Sequence, residues 1–123
     1  VLLQQCDVEE LFIQNSYNCT RTTKKVIEFQ SEKNKKIVYF YVKNGLDKDL
    51  SSYNHIRIVI HPHEDISSLI KLAGVELNLM NEFHSNMITF PSKINKGKTE
   101  CHYGIGFNVL PFAVNKFLEN FHK

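Results

Sequence analysis

The sequence has 123 residues, a formal net charge of +2, 42% hydrophobic and 23% charged residues. That length and apolar content suit one domain over 1–123 with a real core and exclude a disordered polar tail. No run approaches the ~18 apolar residues of a membrane-spanning helix.

Asp7-Val8-Glu9-Glu10 reads as an N-cap followed by an acidic first turn, with Glu10 in the capping-box position. Val8, Leu11 and Phe12 then give helical spacing, so a short helix is predicted over 7–15 and a polar loop over 16–23. Val26, Ile27 and Phe29 are β-prone. Ile37 to Val42 is wholly β-branched or aromatic and is the strongest strand signal in the chain. Asn44-Gly45 follows as a turn signal, so 24–43 reads as a hairpin with a lysine-rich tip. His55 to Ile60 is a second strong strand, stopped by Pro62. Asp65 is expected to cap a short helix that turns Ile66, Leu69, Ile70 and Leu72 inward and ends at Gly74. Val75 to Phe83 fits either a strand or a helix, and Met87 to Phe90 reads as a short strand before Pro91. A polar, basic loop over 92–100 leads into a bent strand from His102 to Val109, with two glycines. Pro111 suits the first position of an amphipathic C-terminal helix built on Val114, Phe117, Leu118 and Phe121. The expected class is α+β: a mainly antiparallel sheet, with barrel-like closure as an option, a short N-terminal helix and an amphipathic C-terminal one.

The small net charge is unevenly placed. Residues 21–43 carry seven basic groups against two acidic ones, and residues 92–103 carry Lys93, Lys96 and Lys98 against Glu100. Clustered cations attract polyanions, although lysines in turns also simply keep loops solvated. Three cysteines, Cys6, Cys19 and Cys101, form neither a disulfide framework nor a paired metal knuckle, so a reducing, cytoplasmic setting is expected. Because the sequence starts at Val1 without signal-peptide features, a domain from a longer protein is the expectation.

Catalytic arrangements are sparse. His61-Pro62-His63 places two imidazoles at a spacing that could grip a metal ion, with Glu64, His84 or His102 as a third ligand, but Pro62 breaks the strand between them. His55, His61 and His102 with nearby lysines supply the parts for cofactor-free ribonuclease chemistry, but no motif sets their spacing. Lys96-Gly97-Lys98-Thr99 lacks the earlier glycine of a phosphate loop. No cofactor is expected, and no catalytic residue is assigned.

The segment from Phe90 to Gly104 is the richest in binding chemistry. Ser92, Lys93, Lys96 and Lys98 can hold phosphates, Asn95 can read an adenine edge, and His102 or Tyr103 can stack on a base. Arg21, Thr22, Lys24 and Lys25 form a second basic segment. A strand pair at 56–60, then Phe90-Pro91, then the Lys/Gly loop and His102-Tyr103-Gly104, resembles DNA-recognition domains of prokaryotic restriction systems. These are the pseudobarrel modules similar to plant B3 domains and the target-reading subunits of McrBC-like systems. The resemblance implies a non-catalytic reader of sequence or modification in double-stranded DNA, clasping the major groove with 21–25 and 92–98. It also implies a nuclease domain or subunit elsewhere. The competing expectations are a small His-dependent RNase or metal-dependent nuclease, and a protein-interaction module.

Overall fold

A computed structural model describes residues 5–41, 55–94, 97 and 99–123. The predicted turn at Asn44-Gly45 lies outside the described residues, as do Val42, Asn95, Lys96 and Lys98.

Helix α1 (Gln5–Gln14) forms where Val8 and Phe12, four residues apart, present one apolar face, and both are fully buried. It ends at Ser16, whose φ of 67° reverses the chain. The next segment differs from the sequence reading. Instead of a loop, Tyr17–Thr22 is strand β1, antiparallel to β2 (Val26–Ser31). Only Tyr17 is buried along it, because β1 lies at the edge of the sheet. Polar residues are tolerated there, and a register shift between Cys19 and Arg21 blunts the edge further.

The predicted hairpin is present: β2 pairs with β3 (Ile37–Tyr41), and its turn closes through Ser31 N to Lys36 O, with Lys35 at a φ of 64°. Strand β4 (Ile56–Ile60) pairs with β3 and with β7 (Glu100–Val109), and β7 also pairs with β5 (Val75–Phe83). The main order is β1-β2-β3-β4-β7-β5, and the short β6 (Ser92–Ile94) joins the leading end of β7. Every pairing is antiparallel, so the class is α+β as expected. The sheet stays open between β1 and β5, and the barrel-like closure is not formed.

Two further expectations are corrected, and the C-terminal one is refined. The helix after Asp65 shrinks to a 3-10 turn, Leu69–Lys71, which buries Leu69 and leaves Ile70 exposed. Asp65 does cap locally, its Oδ1 accepting from Ser67 N at 3.0 Å. Met87 to Phe90 is a run of turns rather than a strand. Its two end residues are buried because they cover the sheet. The C-terminal helix opens with a 3-10 turn, Pro111–Ala113, and continues as α2 (Val114–Phe121).

The sheet is covered on both faces. Against the first, Ile27, Phe29, Phe40, Ile58, Ile105 and Phe107 meet Val8, Phe12, Phe117 and Leu118 of the helices. Against the second, Met87 and Phe90 pack on Val26, Tyr39, Tyr41 and Val59. Among the described residues, no helix is long and apolar enough to cross a membrane.

Candidate nucleic-acid interface

The first basic segment is the β1–β2 turn. Thr23 organises it: its Oγ1 donates to Val26 O at 2.8 Å and accepts from Val26 N at 3.0 Å. This holds Thr22, Lys24 and Lys25 at the surface. Arg21 is half-buried, and its Nη1 donates to the Asn86 carbonyl at 2.8 Å. Asn86 Nδ2 reaches back to Thr23 Oγ1 at 3.5 Å.

The second segment is the β6–β7 hairpin. Ser92 stands opposite His102 and Lys93 opposite Cys101. Ser92 and Lys93 are exposed, but both have partners within the chain. Ser92 Oγ donates to Glu100 Oε2 at 2.8 Å, and Lys93 Nζ donates to Asn81 Oδ1 at 3.0 Å. The same ammonium sits 4.5 Å from the centroid of the Tyr103 ring, which also lies 5.8 Å from Phe83. One face of Tyr103 is therefore held by Lys93 before any base could stack there. His102 Nδ1 lies 2.8 Å from Phe90 O. A carbonyl only accepts, so Nδ1 carries the proton, and in the neutral ring Nε2 keeps its lone pair.

The two segments meet through the connection between β5 and β6. Arg21 bonds to Asn86, and two residues earlier His84 N donates to His102 O at 3.0 Å. The His84 ring is fixed by Asn86 N on its Nδ1 at 3.1 Å and by an edge contact of 5.3 Å with Tyr41. Burial, then the nearby charge of Lys25, holds its pKa below the usual imidazole value, against a smaller opposite pull from Glu82. Sequence reasoning missed this connection because the apolar Met87 to Phe90 imitates a strand. The turn-forming Ser85-Asn86 pair was the available signal.

A layer of linked polar groups lies against the connection, with Glu28, Tyr39 and Glu82 buried in it. Tyr39 OH donates to Glu28 Oε2, and Thr20 Oγ1 donates to Glu28 Oε1 at 2.7 Å. Thr89 N and Oγ1 lie 3.2 and 2.8 Å from Tyr39 OH. Nearer β5, Arg57 Nη1 is bonded to Glu82 Oε1 at 2.7 Å and Arg57 Nε to Asn108 Oδ1 at 2.8 Å. Burial drives Tyr41 well above the usual phenol range, assisted by the charge of Glu82.

The fold separates His55 from His61. His55 precedes β4 and His61 follows it, so the strand's full length divides them. His61 Nδ1 accepts from His63 N at 3.1 Å, and the two rings lie 5.1 Å apart edge to face. Burial, then the charge of His63, lowers the His61 pKa, with Glu64 pulling the other way. Among the described residues, no three His, Cys, Asp or Glu side chains gather into a metal-binding group. Comparison with family models, with curated proteins and with solved structures finds no match for this chain.

Proposed function

We propose that this chain binds double-stranded DNA as a non-catalytic target-reading module of a restriction or defence system, acting in the cytoplasm beside a nuclease domain or subunit. The observation that carries the reading is the 84–86 connection, which bonds to both basic segments, through Arg21 on one side and His102 on the other. Lys24 and Lys25 supply exposed cations beside it, and Lys93 supplies a further cation with Ser92 beside it on a two-stranded ribbon of a shape that a groove accepts. Asn95, Lys96 and Lys98 complete the proposed contact set. The test is fluorescence anisotropy with duplex DNA, single-stranded DNA and RNA at 50 and 200 mM salt. Duplex affinity is expected to fall steeply with salt, and a Lys24→Ala/Lys25→Ala pair should flatten that slope by about two phosphate contacts. Salt-independent binding, or a pair that binds as the parent does, defeats the proposal.

One observation favours a nuclease as a second reading. His61 and His102 both contact Phe90, one through its ring and one through its carbonyl. His102, bonded through Nδ1, keeps an Nε2 lone pair that can take a proton, and a protonated His61 would be the group that gives one, the two roles that acid–base cleavage of RNA needs. Loss of RNA during incubation with the chain, abolished by His102→Ala, would select that reading.

A further inference from the structure

A recess of about 230 Å³ opens between the β2–β3 turn, the turn after β4, and Thr89-Phe90. None of its lining residues belongs to the proposed DNA contact set. Its walls are Ile37 and Phe90, and its polar groups belong to Lys35, Lys36, His61, Glu64 and Thr89.

The hydrogen-bond directions in this recess are determined by its neighbours. Tyr39 spends its one hydroxyl proton on Glu28, so the 2.8 Å contact with Thr89 Oγ1 must be donated by Thr89. Thr89 Oγ1 is then left with lone pairs only. His61 is the reverse case: its Nδ1 accepts from the His63 amide, so the neutral ring carries its proton on Nε2 and is a donor there. The charges are equally ordered. Glu64 is occupied by Lys36 at 2.7 Å, which offsets its repulsion of an anion, whereas Lys35 is exposed at the rim. Lys35 is held there by a left-handed backbone, φ 64°, whose carbonyl accepts from Gln30 Nε2 at 3.1 Å. A non-glycine residue in that region is uncommon and costs strain.

An acceptor, a donor, a ring-sized apolar wall and a cation at the mouth together match a planar heterocycle carrying an anionic group. The volume is below the ~300–1,000 Å³ of sites for drug-sized ligands, so one ring system with its substituents fills it. The geometry points to a nucleoside monophosphate site. The base lies against Ile37 and Phe90, its amino and ring-nitrogen edge meets Thr89 Oγ1 and His61 Nε2, and the phosphate meets Lys35. This site does not rest on the DNA-binding reading.

The test is amide-resolved NMR titration of the whole chain with AMP, CMP, GMP and UMP, and with adenosine, ribose 5-phosphate and inorganic phosphate as separate probes. Saturable shifts at Ile37, Thr89 and Phe90 are expected with at least one nucleotide. Affinity should fall at least fivefold in Thr89→Val and be retained in Thr89→Ser. Lys35→Ala should bring nucleotide affinity down to that of the nucleoside while leaving the nucleoside unchanged. Lys24→Ala/Lys25→Ala should leave all of these values in place, which separates this site from the DNA interface. The inference is overturned if no nucleotide gives saturable shifts at those amides, if inorganic phosphate alone reproduces them, or if a folded Thr89→Val, checked by its amide spectrum, binds as the parent does.

Discussion

Gly106 on β7 lies against the carboxylate of Glu82, and an alanine there tests the buried polar layer directly. A Cβ at this position would fall 2.4 Å from Glu82 Oε1 and 3.2 Å from Glu82 Cβ. The carboxylate cannot swing aside freely, because Oε1 is bonded to Arg57 Nη1 and Arg57 is itself held by Asn108. Gly106→Ala must therefore either strain the strand, at ~1–3 kcal/mol for overpacking, or break the ion pair, at ~3–5 kcal/mol for a fully buried one. The side chains of Arg57 and Glu82 keep 21% and 10% exposure, so water reaches the cation and the second route costs less than its buried limit. The expected loss is about 2–3 kcal/mol, a fall in Tm of roughly 6–15 °C for a domain of this size. Urea unfolding at unchanged m-value measures it. The decisive arm is the cycle with Glu82→Ala, which removes the obstructing carboxylate. The double variant should be at least ~1 kcal/mol more stable than the two single losses added together. A Gly106→Ala loss under ~0.5 kcal/mol, or strict additivity in the cycle, would refute the packing argument.

The other expectations are shorter. Tyr17 OH donates to Leu118 O at 2.7 Å inside the core, so Tyr17→Phe removes a buried hydrogen bond and should cost ~1–2 kcal/mol in chemical denaturation. Burial pushes the Tyr17 phenol far above its ordinary range, so in an alkaline absorbance titration it should ionise only as the chain unfolds. Phe12 is fully buried against Phe29, Phe40 and Tyr17, and Phe12→Ala should cost ~3–5 kcal/mol by calorimetry or denaturant. His122 is buried on the Tyr17 ring with Nδ1 3.0 Å from Ser31 Oγ. Burial, then Lys33, holds its pKa below the usual 6.5, with Glu119 opposing. The unfolded chain then binds the extra proton first, so this group's contribution is complete above pH 6.5 and is lost as pH falls toward the folded-state value. His122→Gln should flatten stability against pH between 7 and 5, and an unchanged slope would remove His122 as its cause.

What the sequence disclosed follows from which residues are forced to be apolar. α1 and α2 each bury an apolar set at helical spacing, and β2, β3 and β4, covered on both faces, are near-continuous β-branched and aromatic runs, so spacing showed the helices and composition the strands. β1 did not show because an edge strand needs only Tyr17 inward. β5 was ambiguous because its register shifts between Leu77 and Leu79 and again before Glu82, which breaks the two-residue period. Leu79 and Met80 stay about half exposed on it, so burial did not set its pattern. The C-terminal segment carries three phenylalanines, Phe112, Phe117 and Phe121. The last two are buried, while Phe112 is 70% exposed, its ring lying beside Gly74. The basic segments of the candidate site were visible as composition. Their link was not, since a hydrogen bond from Arg21 to a backbone carbonyl at Asn86 leaves no trace in residue spacing.

That link also decides which variants can probe the site. Strands covered by helices on one face and by a polar-edged chain segment on the other must satisfy buried groups on the second face by side chains of fixed geometry. Here Thr89 docks on Tyr39, Asn86 on Arg21 and His84 on the backbone of His102. The same three contacts hold the segment on the sheet and align the proposed DNA interface, and the first also sets the acceptor in the nucleotide recess. Folding and recognition are therefore coupled at Arg21 and Thr89. Loss of binding in Arg21→Ala would mix a lost phosphate contact with a loosened segment. The surface lysines at 24 and 25 and the rim lysine at 35 carry charge and take no part in those three contacts, which makes them the cleaner probes of the two sites.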